Sequence, residues 1–201
     1  IPNYLKKKKF ILKPRNMQGS RYVYRLNYKD LKEKVRYLNS LKISYIIEDY
    51  IEGQDYAVES VVNESIISNL IISKKFKFTN SFIDKKIISR NYTNSKIENN
   101  IYELTKKILK ALNIKNGLTH IEFRAHKNKI YIIEAACRGA GSGISNIIVP
   151  YLTGFDTDKF LYKTSVGLSY FYQKKKVEKK KVILEWLRNN NKINLNEEKL
   201  L

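Results

Sequence analysis

Cysteine is almost absent from this sequence, since Cys137 is the only one among 201 residues. A single thiol excludes an internal disulfide and favours a reducing compartment, so we expect a cytoplasmic protein. Histidine is also scarce: His120 and His126 are two and well separated, and Cys137 has no second cysteine as a partner. These residues do not supply the ligand set that zinc prefers.

Long apolar runs are also missing. No stretch approaches the roughly eighteen apolar residues that a membrane-spanning helix requires, so we expect no membrane span. No signal peptide is visible, because Ile1 and Pro2 lead into lysines and then a short apolar run. Hydrophobic residues make up 43% of the chain, which is enough to build a core.

Acidic residues are outnumbered, with 19 Asp and Glu against 39 Lys and Arg and a net charge of +20. Such a surface attracts phosphate backbones, which would make the chain a nucleic-acid-binding protein. However, lysine far outnumbers arginine, whereas base-reading interfaces prefer the bidentate fork of arginine. We therefore favour compositional bias as the source of the charge and disfavour a nucleic-acid partner.

Strands and helices are predicted in an irregular order. Helices are expected after the capping residue Asn27 and over 97–112, 144–152 and 156–166. Strands are expected over 10–14, 22–26, 44–50, 55–62, 66–72, 75–78, 118–123, 129–135 and 182–187. The basic stretch 174–181 is expected to be a solvated turn. Antiparallel-looking groups of strands with helices between them are typical of the α+β class.

Two glutamates stand out on the predicted hairpin that turns at 126–128. Glu122 and Glu134 each lie on a strand between apolar neighbours, where an unpaired carboxylate is costly. If both face the same way, they offer the oxygen ligands that Mg²⁺ prefers when it bridges substrate phosphates. The alternative is a pair of edge-strand glutamates exposed to water.

Three further segments place polar or small residues at the ends of predicted strands. Arg138 precedes the glycine-rich loop 139–143, and an arginine beside such a loop suits a carboxylate or a phosphoryl group. Lys13 precedes the loop 19–20, as a phosphate-binding charge beneath a mobile loop would. The acidic segment 48–53 could offer its backbone and carboxylates to a base edge. Alone, each segment has a plain structural alternative, since lysine is abundant here and glycine loops are often simple turns.

In their order and spacing, these segments resemble the ATP-grasp family. The resemblance covers 10–156 and rests on four blocks, 10–21, 47–55, 117–122 and 133–141. It implies an ATP-grasp fold of the α+β class, in which two α+β subdomains grip ATP between antiparallel sheets. It also implies a ligase that uses ATP and Mg²⁺, or Mn²⁺, to join a small carboxylate to an amine through an acyl phosphate. Glu-Ala-Ala-x-Arg at 134–138, with His120, is similar to the branch that makes dipeptides.

The resemblance assigns a role to each candidate residue. Glu122 and Glu134 would bind Mg²⁺, and Arg138 would stabilise the transition state that forms the acyl phosphate. His120 and Gly141 would contact substrate. The residues that would bind ATP, from its phosphates to its adenine and ribose, are Lys13, Gly19, Ser20, Glu48, Asp49, Ile51 and Asp55.

The sequence also departs from the family pattern. Ala136 stands where many members have asparagine, so we expect only one metal ion to be held firmly. Tyr22 stands where the lid loop often has a second glycine, which predicts a stiffer lid. The usual N-terminal domain has no counterpart here, so we expect that it was lost, lies on a partner chain, or is missing from a fragment.

We expect a lid-like subdomain over 1–47, a main subdomain over 48–170 with a hinge at 48–53, and a basic C-terminal segment over 171–201. The competing functional interpretation is a nucleotide-binding module that has lost catalysis. A lysine-rich nucleic-acid-binding protein is the third.

Overall fold

The computed structural model describes residues 8–17, 19–170 and 178–186. Gln18 of the predicted small-residue loop and Leu187 of the last predicted strand lie outside these ranges. So does most of the basic C-terminal segment. No helix within the ranges is long and apolar enough to cross a membrane.

A small antiparallel sheet forms the N-terminal part of the molecule. Its strands are β1 (Lys9–Pro14), β2 (Tyr24–Asn27) and β3 (Tyr45–Asp49), in the order β2-β1-β3. Helix α1 (Tyr28–Ser40) follows β2 directly, because the side chain of Asn27 accepts hydrogen bonds from the first free N–H groups of the helix, as predicted. Leu12 of β1 and Leu38 of α1 are fully buried.

A six-stranded antiparallel sheet forms the larger part. Its strands are β4 (Gln54–Asn63), β5 (Ile66–Lys77), β6 (Asp84–Arg90), β7 (Gly117–His126), β8 (Lys129–Ala136) and β9 (Lys181–Glu185). They lie in the order β8-β7-β4-β5-β6-β9. The β7–β8 hairpin turns at Lys127 and Asn128, as predicted, with His126 paired to Lys129.

The six-stranded sheet is covered on both faces. Helix α2 (Lys96–Ala111) lies over one face, where Val58, Ile121 and Phe123 are completely buried. The opposite face packs against a π-helical turn (Ile144–Ile148), α3 (Val149–Thr153) and α4 (Thr157–Ser165). The apolar contacts on that face include Val61, Leu118, Phe155 and Phe160. Helices between antiparallel sheets confirm the predicted α+β class.

Three predicted elements differ from the structure. The two strands expected over 66–72 and 75–78 are one strand, β5, because Ser73 and Lys74 between them pair in register with Ser89 and Ile88 of β6. Strand β6 was missed, since Asp84 and two lysines conceal its apolar positions. The helix expected over 144–152 begins as a π-helical turn closed by the N–H of Ile148 to the carbonyl of Gly143 at 3.0 Å. Pro150 follows this turn and has no N–H to continue the earlier ladder.

Residues 50–53 connect the two sheets. Gly53 has φ +151°, and a Cβ there would overlap the carbonyl of Ala125 on β7, so only glycine fits this close approach. The division into a lid-like part, a hinge at 48–53 and a main part stays a prediction. Within the basic C-terminal segment, Lys181–Glu185 forms β9, which pairs with β6 and overlaps the strand expected over 182–187.

Candidate active site

Glu122 and Glu134 lie directly opposite each other on β7 and β8. Partners in an antiparallel pair project from the same face, so the two carboxylates are neighbours. A bulge in the ladder between Glu122 and Phe123 locally re-aims the strand. Glu134 is half exposed, whereas the Glu122 side chain is 22% exposed.

Two cations hold Glu122 in place. Lys75 on β5 donates to Oε1 of Glu122 at 2.5 Å, and Nε2 of His120 lies 3.1 Å from the same oxygen. Burial alone would raise the pKa of the Glu122 carboxyl, but the hydrogen bond from His120 and the charge of Lys75 hold it well below its usual range. The carboxylate is therefore ionised at neutral pH, and both contacts engage Oε1 rather than Oε2.

His120 lies between two carboxylates. Its Nδ1 is 2.5 Å from Oε1 of Glu59, and its Nε2 contacts Glu122. Burial would lower the pKa of the imidazole, but hydrogen bonds to Glu122 and Glu59, together with their charges, raise it to about 9. The ring is thus an imidazolium at neutral pH with both nitrogens engaged inside the protein. A direct contact between His120 and a substrate stays a prediction.

Glu59 extends these contacts to the glycine-rich loop. Its side chain is 4% exposed, and its Oε2 accepts a hydrogen bond from the backbone N–H of Ala140 at 3.2 Å. Glu59 therefore binds one of the backbone N–H groups that the small residues of this loop could offer to an anion.

Further ion pairs continue from Lys75 to the gap between the two sheets. Lys75 contacts Asp84 at 2.9 Å, and Lys77 contacts both Asp84 and Asp55 at 3.3 Å. Arg124 binds Asp55 through two nitrogens at 2.5 and 2.9 Å. We call this set the charge network; its members are Glu59, His120, Glu122, Lys75, Asp84, Lys77, Asp55 and Arg124.

One end of the charge network lines a cleft of about 720 Å³. The cleft is bounded by residues of both sheets, including Arg25 from β2 and Tyr50 from the connection. The ring of Tyr50 lies under two guanidinium groups, those of Arg25 at 5.2 Å and Arg124 at 5.7 Å. Three of the predicted site residues line this cleft: Gly19, Ser20 and Asp55.

Other predicted ATP-binding residues lie outside the cleft lining. Nζ of Lys13 is 2.8 Å from Oε2 of Glu48 and donates to the carbonyl of Ile133 at 2.9 Å, beside Glu134. Asp49 pairs with Lys8 at 2.8 Å. The carbonyl of Ile51 accepts a hydrogen bond from Arg124 at 3.0 Å. The structure therefore joins Lys13 to Glu48 and to the strand of Glu134, and joins Ile51 to Asp55 through Arg124.

Arg138 and Gly141 follow the last residue of β8, at the end of the hairpin opposite its turn. Arg138 is half exposed, 3.5 Å from Glu134 and hydrogen bonded to the carbonyl of Gly139. Gly141 faces open space, since a Cβ there would meet no atom within 4 Å. Gly139 is tightly packed, because its Cβ would lie 2.7 Å from Cβ of Ser145. Packing therefore requires glycine at position 139 but not at position 141.

The carboxylates fit a metal that is completed by other ligands. Among the described residues, no group of three or more His, Cys, Asp or Glu side chains is placed to hold a metal ion. Glu122 and Glu134 would contribute at most two side chains. Mg²⁺ commonly binds one or two carboxylates and takes its remaining ligands from water and substrate phosphates. The donor set therefore suits Mg²⁺ brought with a nucleotide.

Sequence reasoning missed five members of the charge network: Glu59, Lys75, Lys77, Asp84 and Arg124. Lys75 and Lys77 are two lysines among many, and Arg124 lies one residue beyond the strand predicted over 118–123. Glu59 did carry a signal, since a lone acid within the apolar run of β4 needs a buried partner. Its partner, His120, lies 61 residues away and was not deducible from local pattern.

Comparison with known proteins bears on the fold and the family. The model of the ATP-grasp domain matches residues 6–146. The solved L-amino acid ligase from Bacillus licheniformis is 27% identical, with a TM-score of 0.62 over 74% of this chain and 36% of that chain. No curated protein matches the sequence.

Two more distant structures share the fold. Biotin carboxylase from Campylobacter jejuni is 18% identical, with a TM-score of 0.64 over 82% of this chain and 38% of that chain. Phosphoribosylglycinamide synthetase from Anaerococcus prevotii is 19% identical, with a TM-score of 0.61 over 91% of this chain and 48% of that chain. This chain thus spans less than half of each solved chain. Because the matched domain covers most of the sequence and the folds agree, the chain belongs to the ATP-grasp family.

Proposed function

We propose that this chain binds ATP with Mg²⁺ and activates a carboxylate as an acyl phosphate, which an amine then converts to a carbon–nitrogen bond. The observation that carries the proposal is that Glu122 and Glu134 face each other, with Arg138 four residues after Glu134. Beside this pair is a cleft lined by lysine and arginine side chains. The likeness to an L-amino acid ligase supports amino acids or similar small metabolites as substrates.

The phosphates of ATP would lie between the small sheet and the hairpin. Lys13 already contacts the carbonyl of Ile133, so its ammonium lies next to Glu134. A phosphate group near Lys13 would replace Glu48 as its partner, leaving that glutamate for the adenine or ribose region. Gly19 and Ser20, in the turn between β1 and β2, line the cleft between the sheets and would cover the phosphates.

The base and ribose would lie at the connection between the sheets. Backbone groups near Asp49 and Ile51 would meet the base edge. Asp55 is fixed by the two hydrogen bonds from Arg124, which gives its carboxylate a defined position toward the ribose. A preorganised acceptor loses little conformational freedom on binding.

Phosphoryl transfer and amine attack would occur beside Arg138, at the end of the hairpin opposite its turn. An oxygen of the substrate carboxylate attacks the γ-phosphorus of ATP, and ADP leaves. The amine nitrogen then attacks the acyl carbon, phosphate leaves, and the nitrogen gives up a proton. Arg138 is exposed and would stabilise the charge that develops on the transferring group. When bound, Mg²⁺ would neutralise phosphate charge. Gly141 offers open space for substrate beside this arginine.

Calorimetric titration of ATP with and without Mg²⁺ tests the proposal. We expect the wild-type chain to bind ATP with magnesium dependence, and the Glu122→Gln, Glu134→Gln variant to lose that dependence. The matched control is Glu33→Gln, Glu103→Gln, which removes two exposed helix glutamates and should bind like wild type. If neither the wild type nor the control binds ATP, the proposal is wrong.

A phosphate-release screen over amino acids then tests catalysis. We expect release that requires both a carboxylate and an amine, and a fall of about 10²-fold or more in Arg138→Ala. Tight Mg²⁺-dependent ATP binding without release for any substrate pair would instead favour a nucleotide-binding module that lacks catalysis.

A further inference from the structure

We infer that Glu59 is a positioning residue that couples the metal-binding carboxylate Glu122 to the loop beside Arg138. The inference rests on the proposed function. Glu59 would touch neither metal nor substrate. Its two carboxylate oxygens instead hold two different parts of the site in one relative position.

The first part is the side chain of Glu122. Oε1 of Glu59 contacts Nδ1 of His120 at 2.5 Å, and the other nitrogen of that ring contacts Glu122 at 3.1 Å. Glu59 and His120 are register partners on adjacent strands, and the ring of His120 lies between the carboxylates of Glu59 and Glu122. An imidazole with both nitrogens engaged has its rotation fixed, and with it the position of Oε1 of Glu122.

The second part is the loop 139–143. Oε2 of Glu59 accepts the N–H of Ala140, two residues beyond Arg138. Among the described residues this is the hydrogen bond that joins the loop to β4 at the centre of the sheet. Movement of Glu59 would therefore shift the position of both Glu122 and the loop.

Backbone irregularities lie at both acids. The ladder between β4 and β5 shifts between Glu59 and Ser60, and the ladder between β7 and β8 shifts between Glu122 and Phe123. Bulges re-aim side chains and are common beside active sites. Their coincidence with Glu59 and Glu122 indicates that the strands are shaped around these contacts.

Stability alone does not explain these buried charges. Replacing buried ion pairs with apolar residues of similar volume is often neutral or stabilising. A carboxylate with a purely structural role would need only hydrogen-bond donors of its own. The contacts of Glu59 instead continue through His120 to Glu122. Outer contacts of this kind usually change metal affinity 10- to 100-fold when they are removed.

The test compares Glu59→Gln with Glu98→Gln. Glu98 is as buried as Glu59 and lies at the start of α2, bound to Arg90 rather than to the charge network. The metal probe is Mn²⁺ added in the presence of ATP, followed by water-proton relaxation. We expect Mn²⁺ affinity to fall about tenfold or more in Glu59→Gln and to stay at the wild-type value in Glu98→Gln, while ATP affinity without metal is unchanged in both.

Nuclear magnetic resonance supplies a readout that needs no ligand. In Glu59→Gln, we expect the ring signals of His120 and the amide signal of Ala140 to shift together, and the amides of 139–143 to exchange faster. Glu98→Gln should leave all of them in place. A loss of unfolding free energy in both variants, with Mn²⁺ affinity and these signals unchanged, would show that Glu59 is only structural.

The two proposals fail in different ways. If the wild type binds neither Mn²⁺ nor ATP, the proposed function is wrong, and the positioning role that rests on it is overturned too. If the wild type binds both and Glu59→Gln binds Mn²⁺ as tightly, only the positioning role is wrong.

Discussion

Two acids are equally buried on opposite faces of the six-stranded sheet, Glu98 at 2% and Glu59 at 3% exposed. Glu98 lies in the first turn of α2 and accepts hydrogen bonds from Arg90 and from the backbone N–H of Asn94. All these partners lie within one helix start and the adjacent strand β6. Glu59, by contrast, begins a series of contacts that ends at the cleft between the sheets.

The difference shows that burial of a charge does not by itself identify a functional site. Glu98 completes the N-terminus of a helix, whose free N–H groups favour an acid in the first turn, and it ties that helix to the sheet. The contacts of Glu59 pass through His120 to Glu122, which is partly exposed and opposite Glu134. The destination of the contacts separates the two roles.

The largest predicted effect on stability belongs to Glu98. Replacing it in Glu98→Gln leaves the guanidinium of Arg90 buried without a counter-charge, which should lower the free energy of unfolding by about 3 kcal/mol. Urea denaturation measures this loss. Glu103→Gln, at an exposed site on the same helix, is the control and should change stability by less than about 0.5 kcal/mol. Equal effects of the two substitutions would contradict a structural role for Glu98.

The charge network predicts that stability depends on pH through His120 and Glu122. The folded pKa of His120 is about 9, above its unfolded value of about 6.5, so its stabilisation is complete below pH 6.5 and is lost as the pH rises through 9. For Glu122, whose folded pKa is lowered, stabilisation is instead lost in acid. Between pH 6 and 9, the wild type should lose on the order of 2 to 3 kcal/mol relative to His120→Gln.

Urea denaturation at both pH values, with a chelator present, measures this difference. The other histidine provides the control, because His126 contacts no carboxylate among the described residues. The variant His126→Gln should show the same loss as the wild type. A parallel pH dependence in wild type and His120→Gln would mean that His120 is not held as an imidazolium.

The sequence predicted local elements of secondary structure better than it predicted the charge network. The cap at Asn27, the helix over 97–112 and the 126–128 hairpin follow from local pattern, because their signals lie within a few residues. The same hairpin placed Glu122 opposite Glu134. Strand β6 was missed, since its ion-paired residues have the polarity of a loop.

The charge network was beyond the reach of local pattern for a physical reason. Lys75 and Glu122 are 47 residues apart, and Arg124 and Asp55 are 69 apart. The strand order β8-β7-β4-β5 brings them together, and that order is a property of the whole sheet. Lys13 and the Glu122–Glu134 pair were candidates from local pattern, and the family resemblance assigned their roles.

A smaller effect is expected from Gly139, which adjoins the anchor of the loop to Glu59. In Gly139→Ala, the new Cβ would collide with Ser145 and displace the loop, at a cost of about 1 to 2 kcal/mol. The matched change Gly141→Ala meets open space and should alter stability by less than about 0.5 kcal/mol. Urea denaturation of both variants checks this. A larger loss in Gly141→Ala would mean that the loop packs differently.

The smallest effect returns to the region of Glu98. The hydroxyl of Tyr102 is buried without a hydrogen-bond partner among the described residues, and its burial and the charge of Glu98 raise its pKa. Removing an unsatisfied polar group relieves its desolvation cost, so Tyr102→Phe should raise the free energy of unfolding by up to about 1 kcal/mol.

The matched change is Tyr170→Phe, because the hydroxyl of Tyr170 donates to the carbonyl of Asp156 at 3.4 Å. That variant should lose about 0.5 kcal/mol, because it gives up a weak hydrogen bond. Opposite signs in thermal or urea denaturation would show that the side of the sheet under α2 retains an unsatisfied polar group. A loss in Tyr102→Phe as large as in Tyr170→Phe would mean that this hydroxyl has a partner, and that polar groups near Glu98 are as fully satisfied as those of the charge network.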